Sequence, residues 1–335
     1  MVSNTAKIVR FHQTGGPEVL KIENLPLPEP GQGEVRLRVK TIGLNRAEVM
    51  FRTGQYLMAP IFPSCIGYEA AGIVEAVGAG VDKSLIGKKY STVPCFPCNE
   101  YGVYGEVAIV PAYALAAFPE KLSFEQATSI WMQYLTAYGA LVHYGKIQAG
   151  DFVLITAASS SVGIAAIEIA RAEGAISIAT TRTARKKEEL LALGADHVIV
   201  TDEMDLVESV KKITGGKGAR IIFDPVVGKG IEALAAAAAP GGTIFVYGNL
   251  SMEPTPYPLF TALGKGLTIK AYTLFEVVAD TELRRKAQQY VFNHIEKGDF
   301  KPTIARTFTL DKIQDAHRYM ESNEQIGKIV VTTGH

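Results

Sequence analysis

The chain has 335 residues, and its 34 lysines and arginines balance 34 aspartates and glutamates, so its formal net charge is zero. A chain of this length suggests two domains, and 47% hydrophobic residues exclude a largely disordered protein. Binders of nucleic acid or anionic membranes rely on a basic surface, so we expect no nucleic acid and no membrane as partner. Three cysteines cannot crosslink so long a chain, and no segment resembles a signal peptide or a membrane span. We therefore expect a cytoplasmic protein.

Residues 1–128 are typical of a β-rich domain, because short β-branched stretches alternate there with prolines and glycines. Strands are predicted at Ala6–Phe11, Val35–Ile42 and Ala71–Val77. In the second of these, apolar and basic residues alternate, as in an antiparallel strand with one buried face.

Residues 129–275 alternate short apolar runs with helical patterns, which predicts a doubly wound parallel sheet. The predicted strands of this sheet are Phe152–Thr156, Ile176–Thr181, His197–Val200, Ile221–Asp224, Thr243–Gly248 and Leu267–Ala271. The predicted helices between them are Val162–Glu173, Lys186–Leu193, Leu206–Ile213 and Ile231–Ala238.

Residues 276–335 lack this alternation of strands and helices. They contain a charged helix at Thr281–Lys297 and a final strand at Lys328–Thr332, so we expect them to return to the first domain. The predicted fold class is therefore α/β, with a β-rich domain at 1–128, a Rossmann domain at 129–275 and a returning segment at 276–335.

A candidate phosphate-binding turn follows the first strand of the parallel sheet. A strand, a tight turn of small residues and a helix start offer free N–H groups and the positive end of a helix dipole to a pyrophosphate. The usual fingerprint has three glycines, of which only Gly163 is present. The alternative is a turn whose small residues only allow close packing of helix and sheet. The candidate phosphate-binding residues are Ser159, Ser160, Ser161, Val162 and Gly163.

The end of the second strand indicates which cofactor is bound. NAD-binding proteins carry an acidic residue about 20 residues beyond the glycine fingerprint, where it binds the ribose 2′-hydroxyl. Here basic residues stand instead, and a guanidinium with an ammonium favours a 2′-phosphate, so NADPH is the expected cofactor. The alternative is a solvated basic face on the following helix. The residues assigned to this part of the cofactor are Thr181, Arg182, Thr183 and Lys186.

Gly248 and Asn249 follow the fifth strand, at the carboxyl edge where ligands of such sheets bind. We assign them to the cofactor site, with a plain turn as the alternative.

Motifs along nearly the whole chain carry a family resemblance. They are Gly15–Leu20, Gly43–Asn45, Gly67–Gly72, Leu135–Tyr138, Ala157–Gly163, Leu193–Asp196 and Tyr247–Asn249. With these motifs the chain resembles the medium-chain dehydrogenase/reductase superfamily, and within it the zinc-independent quinone oxidoreductases of the zeta-crystallin type. The resemblance implies a chaperonin-10-like catalytic domain, a Rossmann domain and a dimeric or tetrameric assembly. We expect a homodimer with the active site in the cleft between the two domains. One departure is that Ser160 replaces the middle glycine of the family turn.

The resemblance also indicates whether the chain has the ligands of a zinc site. Zinc alcohol dehydrogenases of the superfamily hold their metal with a cysteine, a histidine and a second cysteine or an aspartate. At the matching positions stand Asn45 or Arg46, then Tyr68, and then Gln133 or a neighbour, and none of these is a good zinc ligand. We therefore expect no zinc, and Tyr68 is either a pocket wall or simple packing. The pair Cys95/Cys98 leaves three alternatives open: incidental thiols, a disulfide or part of a metal site.

A site without zinc suits hydride delivery to a quinone or an α,β-unsaturated carbonyl, because these acceptors spread the resulting negative charge onto oxygen. By resemblance, Tyr56 is the candidate proton donor, with an aromatic pocket wall as the alternative. Asn45 matches a family asparagine beside the nicotinamide ribose and the acceptor, with a turn residue as the alternative, and Thr136 matches a threonine across the cleft.

The sequence and its resemblance thus predict a zinc-free, NADPH-dependent reductase of quinones or activated enones. Three alternatives remain open: an enoyl-thioester reductase, an alcohol dehydrogenase-like enzyme with atypical metal use, and a non-catalytic NADPH-binding protein similar to crystallins.

Overall fold

A computed structural model describes residues 4–334 of the chain, which separate into two compact units. Residues 4–132 together with 302–334 form the first unit, and residues 133–301 form the second. Within this described part of the chain, no helix combines the length and the apolar character needed to cross a membrane.

The elements are numbered here in chain order. The strands are β1 (Thr5–Arg10), β2 (Lys21–Pro26), β3 (Glu34–Leu44), β4 (Glu69–Val77), β5 (Lys89–Thr92), β6 (Val107–Pro111), β7 (Leu115–Ala116), β8 (Phe152–Ile155), β9 (Ile176–Thr181), β10 (His197–Val200), β11 (Ala219–Asp224), β12 (Ala238–Val246), β13 (Thr268–Ala271), β14 (Ile304–Thr309) and β15 (Lys328–Thr332). The helices are α1 (Arg46–Arg52), α2 (Phe124–Ala127), α3 (Trp131–Tyr138), α4 (Ser161–Ala172), α5 (Lys187–Ala192), α6 (Leu206–Ile213), α7 (Ile231–Ala237), α8 (Leu259–Lys265), α9 (Phe275–Val278), α10 (Thr281–Lys297) and α11 (Ile313–Glu321).

The first unit is built on a sheet with the strand order β14-β15-β3-β4-β5-β7, in which β6 also pairs with β3. Along β3, Val35, Leu37 and Val39 are fully buried, while Arg38 between them reaches the carboxylate of Glu75 at 2.6 Å. This alternation arises because successive side chains of a strand point to opposite faces. The strand therefore has one buried face, and the returning strand β15 pairs antiparallel with it.

The second unit contains a wholly parallel sheet with the order β10-β9-β8-β11-β12-β13. Its central strands contribute Leu154, Ile222 and Ile244 to a hydrophobic core that they share with the flanking helices. Counted from β8, the order is 3-2-1-4-5-6, the doubly wound arrangement, so the predicted α/β fold is confirmed. The order reverses between β8 and β11, and ligands of such sheets bind in the crevice at the carboxyl ends of those two strands.

The chain returns to the first unit at Pro302, because helix α10 still belongs to the second unit. The Tyr290 hydroxyl on α10 donates to Glu173 at 2.7 Å, and the ring of Phe300 stacks on Tyr134 with centroids 4.8 Å apart.

Candidate active site

The turn between β8 and α4 has the form expected of a phosphate-binding turn. Ala157 adopts a φ of 46°, which reverses the chain sharply after the strand. Ser160 caps the helix, since its hydroxyl accepts the N–H of Gly163 at 3.0 Å. The remaining N–H groups of the first helical turn lie at the positive end of a twelve-residue helix.

Gly163 has a structural reason to be glycine. A Cβ at this position would lie 2.6 Å from both the Cα and the carbonyl oxygen of Ala158, closer than real Cβ contacts allow. The glycine therefore lets helix α4 approach the turn closely. A dinucleotide site needs this close approach, and the turn fits a pyrophosphate.

The basic residues assigned to the 2′-phosphate lie beyond the end of β9, and one of them reaches the turn. The Lys186 ammonium donates to the Ser159 hydroxyl at 3.0 Å, which joins two predicted site residues that are 27 positions apart. Arg182 is exposed, and the hydroxyl of Thr181 donates to the carbonyl of Thr183 at 3.3 Å. The end of β9 therefore presents positive charge where NAD-binding proteins carry an acid.

The crevice between β8 and β11 contains a buried carboxylate that the sequence analysis missed. Asp224 ends β11 and accepts the hydroxyl of Thr156 as well as the N–H groups of Val226 and Val227, the latter at 2.8 Å. Burial raises the pKa of Asp224, while these donors act in the opposite direction. Its sequence signal is an aspartate at the carboxyl end of a buried strand, followed by Pro225.

The predicted pair after β12 lies at the same edge of the sheet. A Cβ on Gly248 would lie 3.1 Å from the carbonyl oxygen of Pro225, so the glycine permits a tight passage between two loops. Asn249 is partly exposed and accepts the Ser251 hydroxyl at a long 3.5 Å. Thr136 lies buried on α3 and is placed in the second unit.

In the first unit, Asn45 stands at the start of α1 in a buried polar network. Its side-chain oxygen accepts the Lys328 ammonium, and its amide donates to Glu48 at 3.1 Å and to the Gly43 carbonyl at 3.2 Å. Lys328 also pairs with Glu69, and the side chains of this ion pair are 0% and 1% exposed. Sequence reasoning missed this pair, and its only local signal is a lysine at the head of an apolar strand.

Glu48 is the hub of that network. Its carboxylate accepts the N–H of Tyr68 and the hydroxyl of Tyr104, each at 3.2 Å. Burial raises its pKa to about 7, although the Lys328 ammonium opposes the shift. The Tyr104 hydroxyl also lies 3.3 Å from a ring nitrogen of His317. Burial near two arginines lowers the pKa of His317 to about 3.

Tyr56 follows α1, with its ring edge-on to Phe51 at 6.4 Å between centroids. The neighbouring Tyr68 lowers the pKa of the Tyr56 hydroxyl, whereas the Cys98 thiol and the Glu48 carboxylate raise it. Burial raises the pKa of Tyr56 to about 12, so the phenol keeps its proton throughout the neutral range.

The donor set of the first unit does not suit zinc. Asn45 and Tyr68 supply an amide and a phenol, whereas Zn²⁺ in proteins takes thiolate, imidazole or carboxylate ligands. Across residues 4–334, no cluster of three or more histidine, cysteine or acidic side chains has the spacing of a metal site. In the described part of the chain, Cys95 and Cys98 are not joined by a disulfide.

Comparison with known proteins identifies the family. The family described as "Alcohol dehydrogenase GroES-like domain" matches residues 31–120, and "Zinc-binding dehydrogenase" matches residues 161–293. Human quinone oxidoreductase is 31% identical to the chain over 97% of both proteins. The chain belongs to the zinc-independent quinone oxidoreductase branch of the medium-chain dehydrogenase/reductase superfamily.

Two further members place this quinone oxidoreductase-family chain among reductases. A 2-haloacrylate reductase from Burkholderia is 31% identical over 96% of the chain and 97% of that protein. The crystal structure of Escherichia coli quinone oxidoreductase complexed with NADPH has a TM-score of 0.91 and 32% identity, covering 98% of the chain and all of that protein. The predicted family and its two-domain fold, GroES-like and Rossmann, are therefore confirmed.

Proposed function

We propose that the chain is an NADPH-dependent oxidoreductase that delivers hydride to a quinone or an α,β-unsaturated carbonyl. The observation that carries this proposal is the contact of Lys186 with Ser159, which brings a positive charge to the phosphate turn where an NAD-specific site would have an acid. Relatives with the same fold support the chemistry, since they are a quinone oxidoreductase, a 2-haloacrylate reductase and a quinone oxidoreductase complexed with NADPH.

The second unit provides the cofactor-binding residues in this proposal. The N–H groups at the start of α4 bind the pyrophosphate, and Ser159, Ser160 and Ser161 add hydroxyl donors. Lys186 and Arg182 bind the 2′-phosphate. The cofactor supplies the hydride when bound. The remaining residues assigned to it are Asn45, Thr136, Val162, Gly163, Thr181, Thr183, Gly248 and Asn249.

The first unit provides the proton in this proposal. Hydride addition to the β-carbon of an enone pushes the electrons of its double bond onto the carbonyl oxygen, and the resulting enolate needs a proton. Tyr56 supplies it: its O–H bond breaks, a bond from the proton to the enolate forms, and the phenolate recovers a proton from water. A high pKa suits this role, because the phenol is fully protonated when the basic enolate appears.

The test is steady-state oxidation of NADPH and NADH against a small quinone and a small enone, using protein treated with a chelator and assayed for zinc. We expect turnover that prefers NADPH and persists without zinc. In Tyr56→Phe, enone turnover should fall by about tenfold or more, while quinone turnover is retained because a quinol takes its proton from water. Activity that returns only with zinc, or equal use of NADH, would overturn the proposal.

We further propose a cytoplasmic homodimer joined at the edge of the parallel sheet. Strand β13 pairs only with β12 among the described residues, and the nearby helix α8 presents Phe260 and Leu263 at 86% and 70% exposure. An open strand edge beside exposed apolar side chains is a typical association surface. Light scattering should give twice the chain mass for the wild type, and Phe260→Asp combined with Leu263→Asp should give the monomer. A monomeric wild type would refute this assembly.

A further inference from the structure

The strongest unassigned feature is the way in which Lys328 holds the side chain of Asn45. The side-chain oxygen of Asn45 accepts the Lys328 ammonium at 2.5 Å. An ammonium can only donate, so it must be the oxygen of the amide, and not its nitrogen, that faces the lysine. The nitrogen then lies against two acceptors, the Gly43 carbonyl at 3.2 Å and the Glu48 carboxylate at 3.1 Å. The chemistry of its neighbours therefore fixes which way the Asn45 amide points.

This orientation limits what Asn45 can offer to a ligand. A side-chain amide has two N–H groups to donate and an oxygen with two lone pairs. Both N–H groups of Asn45 are used, one on Gly43 and one on Glu48, whereas Lys328 takes one lone pair of the oxygen. Asn45 can therefore still accept a hydrogen bond from a ligand, but it has no N–H left to donate to one.

Lys328 is itself held in place. Its ammonium also pairs with one carboxylate oxygen of Glu69, and the other oxygen accepts the N–H groups of Trp131 and Met132 at 3.1 and 2.8 Å. The lysine side chain is fully buried, so water does not compete for its donors. A Cβ on Gly43 would lie 2.9 Å from the Cε of Lys328, so the glycine leaves room for the lysine. Lys328 is thus a fixed donor against which the Asn45 oxygen is oriented.

We infer that Lys328 is a positioning residue for cofactor binding, which orients Asn45 so that its side-chain oxygen accepts a hydroxyl of the nicotinamide ribose. This inference rests on the proposed function, in which Asn45 is one of the cofactor-binding residues. A ribose hydroxyl can donate to the free lone pair, whereas the carbonyl oxygen of a quinone or an enone has no hydrogen to donate. Asn45 therefore serves the cofactor and does not stabilise the acceptor oxygen.

The experiment is a double-mutant cycle with Lys328→Met, Asn45→Ala and both together, measured as the Kd of NADPH and of NADH by fluorescence titration of the folded protein. Each single change should raise both Kd values about three- to tenfold, the value of one hydrogen bond, because the two cofactors share the nicotinamide ribose. In the Asn45→Ala background, Lys328→Met should alter either Kd by less than about twofold, because the group that it orients is gone. The matched control is Arg38→Met, which breaks another ion pair of the same sheet, to Glu75, and should leave both Kd values unchanged.

Two further variants separate this role from a loss of stability and test the direction of the hydrogen bond. Lys328→Met combined with Glu69→Gln leaves no unpaired carboxylate in the core, so this better-folded protein should show the same loss of affinity as Lys328→Met alone. Asn45→Asp keeps an accepting oxygen beside Lys328 but has no N–H to donate, so both cofactors should bind within about twofold of the wild type.

The outcomes distinguish the inference from the proposal beneath it. If Lys328→Met weakens binding equally with and without Asn45, or if Asn45→Asp binds as weakly as Asn45→Ala, the positioning role is wrong while NADPH binding by the wild type stands. Wild-type protein that binds neither cofactor would instead refute the proposed function, and the inference with it.

Discussion

Replacing Lys186 with alanine is expected to weaken NADPH binding and to leave NADH binding unchanged. The Lys186 ammonium lies 3.0 Å from the Ser159 hydroxyl, at the edge of the phosphate turn. The two cofactors differ only in the 2′-phosphate, so a charge that serves this group affects one of them alone.

The size of the effect follows from the exposure of the lysine. Two unit charges 4 Å apart attract by ~1 kcal/mol in bulk water and by ~4 kcal/mol near a protein surface. Lys186 is partly exposed and exchanges its bond to Ser159 for one to the phosphate, so we expect the ~1.5–3 kcal/mol typical of a hydrogen bond to a charged group. This corresponds to a Kd for NADPH about ten- to a hundredfold higher.

Calorimetric or fluorescence titration of both cofactors measures this difference, and the loss should shrink as salt is added because the interaction is electrostatic. Lys187→Ala is the matched control, since it removes the next ammonium along the chain and should alter neither Kd. Equal weakening of NADPH and NADH in Lys186→Ala would refute the 2′-phosphate assignment.

Three further predictions concern the turn and the buried network. Gly163→Ala places a Cβ 2.6 Å from the backbone of Ala158, so α4 must shift; both cofactors should bind about tenfold more weakly or worse, and unchanged titrations would contradict the turn assignment. Lys328→Met leaves the Glu69 carboxylate buried without its ion pair, so denaturant melts should show ~3–5 kcal/mol less stability, and a loss below ~1 kcal/mol would disprove the pairing. Glu48 has a raised pKa of about 7, so its stabilising contribution is complete below the unfolded pKa near ~4.5 and is lost as the pH rises through about 7. Wild type should therefore lose stability relative to Glu48→Gln between pH ~4.5 and ~7, and a difference that does not vary with pH would count against the shift.

The sequence predicted the second unit most closely, because strands buried on both faces read as continuous apolar runs. The predicted bounds of β9, β10, α6 and α10 coincide with those of the structure. The alanine tract was assigned to helix as far as Ala238, yet β12 begins at that residue, since pairing with β11 outweighs the helix propensity of alanine.

Helices α8 and α1 gave no usable signal in the sequence. Helix α8 presents Phe260 and Leu263 outward, so its pattern lacks the polar face by which a surface helix is recognised. Helix α1 is only seven residues long, too short for its periodicity to stand out.

In the candidate site, residues that lie close together in the sequence were easier to assign than residues that lie far apart. The candidate phosphate turn could be proposed from the sequence because its members share one short segment. The link from Lys328 to Asn45 joins residues 283 positions apart, and only the pairing of β15 with β3 brings them together. The sequence predicts Tyr68 as a pocket wall or as packing, but the hydrogen bond from its N–H to Glu48, 20 positions away, depends on the fold.

The hydrogen bond between Thr156 and Asp224 joins the ends of β8 and β11 across the crevice where the strand order reverses. With the Ser160 cap on one side and the N–H groups of Val226 and Val227 held on the other, both walls of the crevice are fixed by the protein's own bonds. An incoming nucleotide therefore causes little loss of chain entropy at this edge, and its affinity is not reduced by reorganisation. Discrimination between two nucleotides then depends on the atoms in which they differ, and not on how far the protein must rearrange to bind each of them.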